Sequence, residues 1–415
     1  VTTAAGSRYL GLRCTRCSAV FDDGWFFEGC PVCREGDWAA NLVARYDLAG
    51  AHRDWENLTG RGLWRYRAFL PIGEDQAPVT LGEGGTPALR LADGDGWAEL
   101  WLKNESTNPT WSYKDRLNAV AVTKAVAMGA TTVAASSTGN HGASAAAYAA
   151  RAGLRAVVFT RDDTDEATVR FMQSYGASVI RTNPCDRWAL LRHGVHELGW
   201  YPVSTYTAVP TGNPYGIEGY KTLAFETYEQ IGVPDVVVVP TAYGEGFAGI
   251  WAGFALLREI GVTDRAPRMV AVEPAGGGPL AQAVDSGADR VAPVPPYRTV
   301  AGSIAATTAT DRSLLALRHS GGTAVRVTDE EMLGAQARLG RQGLFLEPAG
   351  AAGIAALARL DGRLPGLDPA TARCMVVGTA GGLRQVGVLA GRLPEAPLIG
   401  DDPALLATLS RRHST

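Results

Sequence analysis

The chain lacks a surplus of charge of either sign: 39 lysines and arginines face 42 aspartates and glutamates, a formal net charge of −3. A surface without basic excess supplies no field for nucleic acid or an anionic membrane, so neither is expected as a partner. No apolar run is long enough to span a bilayer, and the opening VTTAAGSRYL has no charged-then-apolar leader pattern. The expected location is therefore cytoplasmic. Internal repeats are missing, and the one biased tract is the Pro/Val stretch VAPVPPY from residue 291. Glycine is abundant, at 50 residues, yet lacks a collagen-like period and collects at the ends of apolar runs, as tight strand-to-helix turns require. With 415 residues, 46% hydrophobic and 20% charged, the chain has the composition of a soluble enzyme and exceeds what one core supports. Two lobes and a small accessory unit are expected.

Cysteine is scarce, but four of the 6 fall early, as Cys14-x2-Cys17 and Cys30-x2-Cys33 around the segment FDDGWFFEG. Two such knuckles suit a tetrahedral zinc ribbon, since each presents two thiolates to one ion. The alternative is two redox pairs or idle thiols, but a redox C-x-x-C belongs in a βαβ pattern that this segment lacks. A closed four-sulfur site leaves no position open for substrate, so the metal would be structural. Cys185 and Cys374 stand alone and read as small buried hydrophobes. The ribbon arginines Arg8, Arg13, Arg16 and Arg34 are offset by Asp22, Asp23, Glu28, Glu35 and Asp37, which weighs against a nucleic-acid ribbon.

From residue 131 the pattern becomes regular: TTVAAS as a buried strand, SSTGNHG as a turn, ASAAAYAARAG as a helix, LRAVVFT as a strand, DEATVRFMQSYG as a helix and ASVIRT as a strand. DVVVVP, TAYGEGFAGIWAGFALLREIG, PRMVAVEP and RCMVVGTAGG repeat the alternation later. The fold class is α/β: two lobes with open, twisted, mostly parallel sheets flanked by helices. Ligands gather at the carboxyl ends of such strands, which marks the loops SSTGNHG, TAYGEGF and GTAGG. Gly244 to Gly249 match G-x-G-x-x-G, and Glu273 ends a strand downstream as a ribose-binding acid would, so an NAD-dependent oxidoreductase is a rival reading. Against it, Pro240 to Tyr243 separate the strand from the glycines. The loop indicates a phosphate cradled by backbone N–H groups more than it indicates a dinucleotide.

The segment WSYKDR precedes helical spacing at Leu117, Val120, Ala121 and Ala125. Ser112 with Asp115 predicts a capping box with Ser112 as N-cap, placing Lys114 in the first turn. There the helix dipole disfavours an ammonium and favours the free amine that Schiff-base chemistry needs; a solvated surface lysine is the plain alternative.

A Schiff-base lysine and a phosphate-cradling loop together suggest pyridoxal phosphate. WSYKDR resembles the S-F-K-D-R lysine motif of threonine synthases, SSTGNHGAS their S-T-G-N-T-S-A-S loop, and NPYGIEGYKTLAFE their N-P-Y-x-x-E-G-x-K-T segment. GEGGTP resembles their entry motif, GTAGGLR their T-G-H-G-L-K, and the N-terminal knuckles followed by LWRYRAFLP the ribbon-bearing branch. The likeness runs from about residue 10 to 390. It implies the tryptophan-synthase-β type of fold (PLP fold type II), usually dimeric, with these units: 1–45 ribbon, 46–105 connection and start of the large lobe, 106–205 small mobile lobe, 206–400 large lobe and 401–415 tail.

The resemblance assigns Lys114 to the cofactor and to proton transfer at Cα and Cβ, Asn140 to the ring hydroxyl, Thr379 to the ring nitrogen, and Tyr243, Gly244, Glu245, Gly246 and Phe247 to the cofactor phosphate. Ser136, Ser137 and Thr138 would receive the substrate carboxylate, with Thr86 and His141 also against substrate. Lys103, Arg116 and Lys221 are candidate cations for a leaving phosphate. The departures touch the pockets: the phosphate loop has Glu245, which should face out or meet a cation, and the asparagine loop has the dehydratase spelling with His141. GTAGGLR lacks the family's histidine. The implied reaction turns O-phosphohomoserine into threonine. The open alternatives are β-elimination or β-replacement on serine, threonine or phosphoserine, the NAD oxidoreductase, and a non-catalytic zinc-ribbon protein.

Overall fold

The computed structural model describes residues 7–92, 94–183 and 186–393. Cys185 and the tail 401–415 lie outside the described residues. Compactness divides the chain into residues 1–384 and 385–415. In the latter, Ala390 N–H donates to Gly387 O within a turn.

The first unit opens with β1 (Tyr9–Cys14), β2 (Val20–Phe21) and β3 (Leu42–Tyr46), an antiparallel sheet in the order β2-β1-β3. Two strands, β4 (Ala88–Arg90) and β5 (Glu99–Asn104), then pair antiparallel. Next come β6 (Thr132–Ser136), β7 (Arg155–Arg161), β8 (Ser178–Thr182) and β9 (Tyr201–Pro202), a parallel sheet ordered β8-β7-β6-β9. Finally β10 (Val236–Pro240), β11 (Arg268–Pro274), β12 (Thr323–Val327) and β13 (Arg373–Gly378) join the earlier pair in a six-stranded sheet, β12-β11-β10-β13-β5-β4. The fold is thus α/β with two mostly parallel sheets, and β4 is the lone antiparallel strand of the larger one.

The sequence explains the layering. Every residue of β10, VVVVP, is buried, as expected of a central parallel strand covered on both faces. The helix Asn140–Arg151 buries five alanines as it packs on β6 and β7 of the smaller sheet and on the helix Lys114–Ala127, and their small side chains let backbone approach backbone. Thr328 and Glu331 form a capping box at the start of the helix Asp329–Arg341, as the S/T-x-x-E pattern dictates. Leu12 and Leu42 of the N-terminal sheet and Phe27 from its β2–β3 connection pack in one cluster with Tyr201 and Tyr215. Phe27 meets Tyr201 edge-on at 4.9 Å, a geometry worth about 1 kcal/mol beyond area burial. Ion pairs extend this attachment, with Arg16 reaching Asp311 at 2.6 Å and Asp289 at 3.0 Å.

Candidate active site

Lys114 is the first residue of the helix Lys114–Ala127, with Tyr113 rather than the expected Ser112 as N-cap. The predicted capping box does not form, because the Asp115 carboxylate turns to closer donors: Thr110 N–H at 2.7 Å, Thr110 Oγ1 at 2.6 Å and Ser144 Oγ at 2.6 Å. Burial pushes the Asp115 carboxyl up to about 6 against these bonds. Ser112 Oγ still accepts from Lys114 N–H, at 3.4 Å. The Lys114 Nζ lies 4.9 Å from the Tyr113 ring centre and 5.8 Å from that of Tyr220, and these rings pack 4.9 Å apart.

Several strand-end loops surround this lysine. Gly244, at φ 91°, caps the helix Glu245–Glu259 without a side-chain hydrogen bond, so the first-turn N–H groups of Glu245, Gly246 and Phe247 are free for an anion. A Cβ on Gly244 would stand 2.4 Å from that of Ser313, and one on Gly246 2.7 Å from the Tyr113 ring. Only glycine permits this packing. The loop is braced by Thr310 N–H donating to Tyr243 O at 2.7 Å, and Trp188 packs on the Tyr243 ring at 6.2 Å. The Glu245 carboxylate lies against Gly212 and is near enough to Arg312 to act on its charge, but among the described residues the two form no ion pair. Burial pulls the Arg312 pKa down while Glu245, Glu218 and Asp311 oppose the shift.

The asparagine loop faces the same region. Asn140 opens its helix, and its amide nitrogen donates to both oxygens of Glu347 at 3.0 Å. His141 Nε2 is buried without a partner among the described residues; burial and the nearby Lys114 charge drive the ring's pKa down to about 3, so it is neutral. Thr379 is buried at the end of β13, and its carbonyl accepts from Tyr113 N–H at 2.9 Å, tying that strand to the lysine turn. Ser137 is otherwise engaged than expected: its hydroxyl accepts from Gly139 and Gly142 N–H at 3.2 and 2.9 Å, shaping the helix start. Ser136 N–H donates to Ser204, and the side chain of Thr138 is half-buried.

The expected phosphate cations are a clear correction. Arg116 is fully buried and grips Glu105 at 2.7 and 2.8 Å and Glu226 at 2.8 and 2.7 Å. Lys103 Nζ donates to Glu226 at 2.9 Å and Gln230 at 3.1 Å, and burial lowers its pKa. Thr86, expected at the substrate, instead donates to Glu105 at 2.6 Å inside this network. Lys221 pairs with Glu218 at 2.6 Å under the Tyr46 ring, and burial lowers its pKa as well. Unpaired charges cannot be buried cheaply, so these cations found carboxylates within the fold. Glu273 is corrected likewise: its carboxylate accepts from Leu280 and Ala281 N–H at 3.1 and 2.9 Å, capping the next helix, and burial raises it to about 7.

Sequence reasoning missed Glu347, the partner of Asn140. A lone acid in the apolar run LFLEPAGAAGIAA was the available signal. It also gave no role to Tyr220 or Arg312, whose proximity to the site depends on chain crossings.

Cys14, Cys17, Cys30 and Cys33 bring all four sulfurs within 4.8 Å of one another, with Cys14 and Cys33 3.4 Å apart and Cys17 and Cys30 3.8 Å apart. Tetrahedral zinc with ~2.3 Å bonds requires sulfurs about 3.8 Å apart, so the set fits that ion. Arg16 and Cys17 N–H groups both point at Cys14 Sγ, at 3.4 Å, where they would stabilise a metal-bound thiolate. Cys374, by contrast, is a wholly buried single thiol.

Residues 79–379 match the family of pyridoxal-phosphate dependent enzymes. Threonine synthase of Methanosarcina acetivorans is 36% identical over 84% of this chain and 86% of its own length. That of Mycobacterium tuberculosis is 35% identical over 85% of this chain and 95% of its own. Among solved structures, maize serine racemase aligns with TM-score 0.64 at 20% identity, over 79% of this chain and 93% of that one. A fungal L-serine ammonia-lyase from Rhizomucor miehei aligns with TM-score 0.62 at 20% identity, over 74% and 95%. The likeness to the structures establishes PLP fold type II. Free N–H groups beside a lysine amine, a cradle closed to side chains, and an orphaned buried imidazole nitrogen fit the phosphate, aldehyde and ring of the cofactor. On these grounds the oxidoreductase and non-catalytic readings fall, and the chain belongs to the pyridoxal-phosphate dependent enzymes.

Proposed function

We propose that this enzyme is a threonine synthase-like lyase that removes phosphate from O-phosphohomoserine and adds water to give threonine. The observation that carries the reading is a lysine at a helix start beside a side-chain-free phosphate cradle, in a chain 34 to 36% identical to threonine synthases over most of its length. Bound there, pyridoxal phosphate supplies a carbonyl for amines and an electron sink for charge developing at Cα. Lys114 holds it and, once freed, carries protons between Cα and Cβ as base and acid. The N–H groups of Glu245, Gly246 and Phe247 hold the cofactor phosphate. Asn140 orients the ring through its hydroxyl, and Thr379 offers the ring nitrogen a neutral hydroxyl. The helix start after Ser136 and Thr138 receives the substrate carboxylate. The Tyr113 and Tyr220 rings exclude water from the amine. A structural zinc in the ribbon, a homodimer and a cytoplasmic location complete the proposal.

A second reading, β-elimination on serine or threonine, is favoured by the internal pairing of Lys103, Arg116 and Lys221, which leaves none of them for a leaving phosphate. Product analysis decides between the two. Threonine and phosphate from O-phosphohomoserine support the first; an oxo acid and ammonia from threonine, with phosphohomoserine inert, support the second.

A further inference from the structure

Arg384 is half-buried, and among the described residues its guanidinium has no counter-ion in bonding distance. Its Nη2 donates to Thr110 O at 3.1 Å, while Nε and Nη1 are buried with no partner among the described residues. Burial lowers its pKa, against the pull of Glu347, Asp115, Tyr175 and Asp165. The three carboxylates among these already serve neutral donors: Glu347 binds Asn140, Asp115 binds Thr110 and Ser144, and Asp165 caps the helix Glu166–Ser174. Arg384 also lines a cleft with Ser106, Trp111, Phe345, Gly381 and Leu383. This cleft borders the proposed reaction site, because Ser112 bridges to Ala380, and Gly381 N–H donates to Trp111 O at 2.9 Å. Trp111 stands three residues before Lys114, and Gly381 two after Thr379.

Trp111 supplies an independent sign of function. It holds φ 61°, a left-handed conformation that a bulky side chain rarely adopts. That backbone aims the indole at Phe171, stacked at 5.3 Å, and the Arg384 guanidinium lies 5.4 Å from the centre of the same ring. The Nε and Nη1 atoms are buried, and burial weakens solvent screening and strengthens the attraction of a cation for an anion.

We propose that Arg384 binds an anionic oxygen group at the side-chain end of the substrate amino acid. This rests on the amino-acid lyase reading and supplies the cation that Lys103, Arg116 and Lys221 do not. In the reaction proposed above that group is the departing phosphate ester, which a planar guanidinium grips through two parallel N–H bonds.

The test uses the holoenzyme and its R384Q and R384K variants, with inorganic phosphate and acetate as calorimetric probes. At least tenfold weaker anion binding in R384Q, with the lysine–cofactor absorption band intact and partial recovery in R384K, is the expected result. Phosphate binding without acetate binding assigns a phosphate ester, and the reverse assigns a carboxylate. Equal affinity in wild type and R384Q, binding of neither anion to wild type, or loss of the cofactor band in R384Q overturns the proposal. Phosphate release from O-phosphohomoserine is measured alongside. If wild type releases none while R384Q still loses anion binding, the threonine synthase reading fails and the anion site stands. If both proteins release it equally and bind anion equally, the converse holds.

Discussion

Replacing Arg116 by methionine separates a structural cation from one that serves substrate. The side chain is fully buried and makes four hydrogen bonds to the carboxylates of Glu105 and Glu226, one to Thr222 at 2.9 Å and one to Thr86 at 3.1 Å. With Lys103 the cluster balances two cations against two carboxylates. Burial alone would raise the Glu226 carboxyl, but Arg116 and Lys103 overcome that and bring it to about 2. Methionine preserves the apolar stem and removes the charge, leaving one carboxylate uncompensated. Breaking a buried pair in this way costs about 3–5 kcal/mol. At ~1.4 kcal/mol per decade, that is about two to three and a half decades in the folding equilibrium. A urea slope of ~3–4 kcal/mol/M for a chain this large turns it into a midpoint lower by about 1 M. Urea unfolding followed by tryptophan fluorescence reads the shift, and adding Glu105→Gln should recover part of it by restoring charge balance. An unchanged midpoint, together with selective loss of phosphohomoserine binding, would refute the reasoning and return Arg116 to the substrate pocket.

Lys114→Ala should abolish the lysine–cofactor absorption band and lower turnover by at least ~10³-fold, since the same amine holds the cofactor and moves the protons; a variant that keeps the band excludes the assignment. Elemental analysis should find one zinc per chain, and Cys30→Ser should lose it and unfold the N-terminal sheet, visible as new proteolytic cleavage before residue 46. Because His141 is held neutral with a folded pKa of about 3, against about 6.5 when unfolded, the unfolded chain binds the extra proton across that interval. Stability should therefore fall as pH drops from about 6.5 towards 3, by up to ~1.4 kcal/mol per pH unit from this group. His141→Gln should flatten that part of the profile relative to wild type; parallel profiles would show that His141 charges freely in the folded protein.

The sites most visible in the sequence have locally determined geometry. Two C-x2-C knuckles bring their sulfurs together because each knuckle is one tight turn, and the sheet β2-β1-β3 needs only to fold one onto the other. Lys114 falls at a helix start because turn formers precede an apolar period, although the cap lies at Tyr113 once Asp115 finds donors in Thr110 and Ser144. The glycines at 244 and 246 announce a close approach of backbone, and their Cβ positions meet Ser313 and Tyr113.

Alternation of strand and helix, turn glycines and motif order thus determined by themselves the α/β class, the parallel sheets, the cysteine cluster, the lysine at a helix start and the glycine loop before the helix Glu245–Glu259. Tertiary structure alone decided the fate of each charge. Lys103 and Arg116 find Glu226 across 123 and 110 residues of chain, whereas Arg384 bonds the Thr110 carbonyl 274 residues away and, among the described residues, meets no carboxylate closely enough to pair. A charge shows its sign in the sequence, but its partner and its hydration depend on which distant segments the fold brings beside it. Desolvation then makes that neighbourhood the difference between a cation held in a structural ion pair and one left without a carboxylate partner.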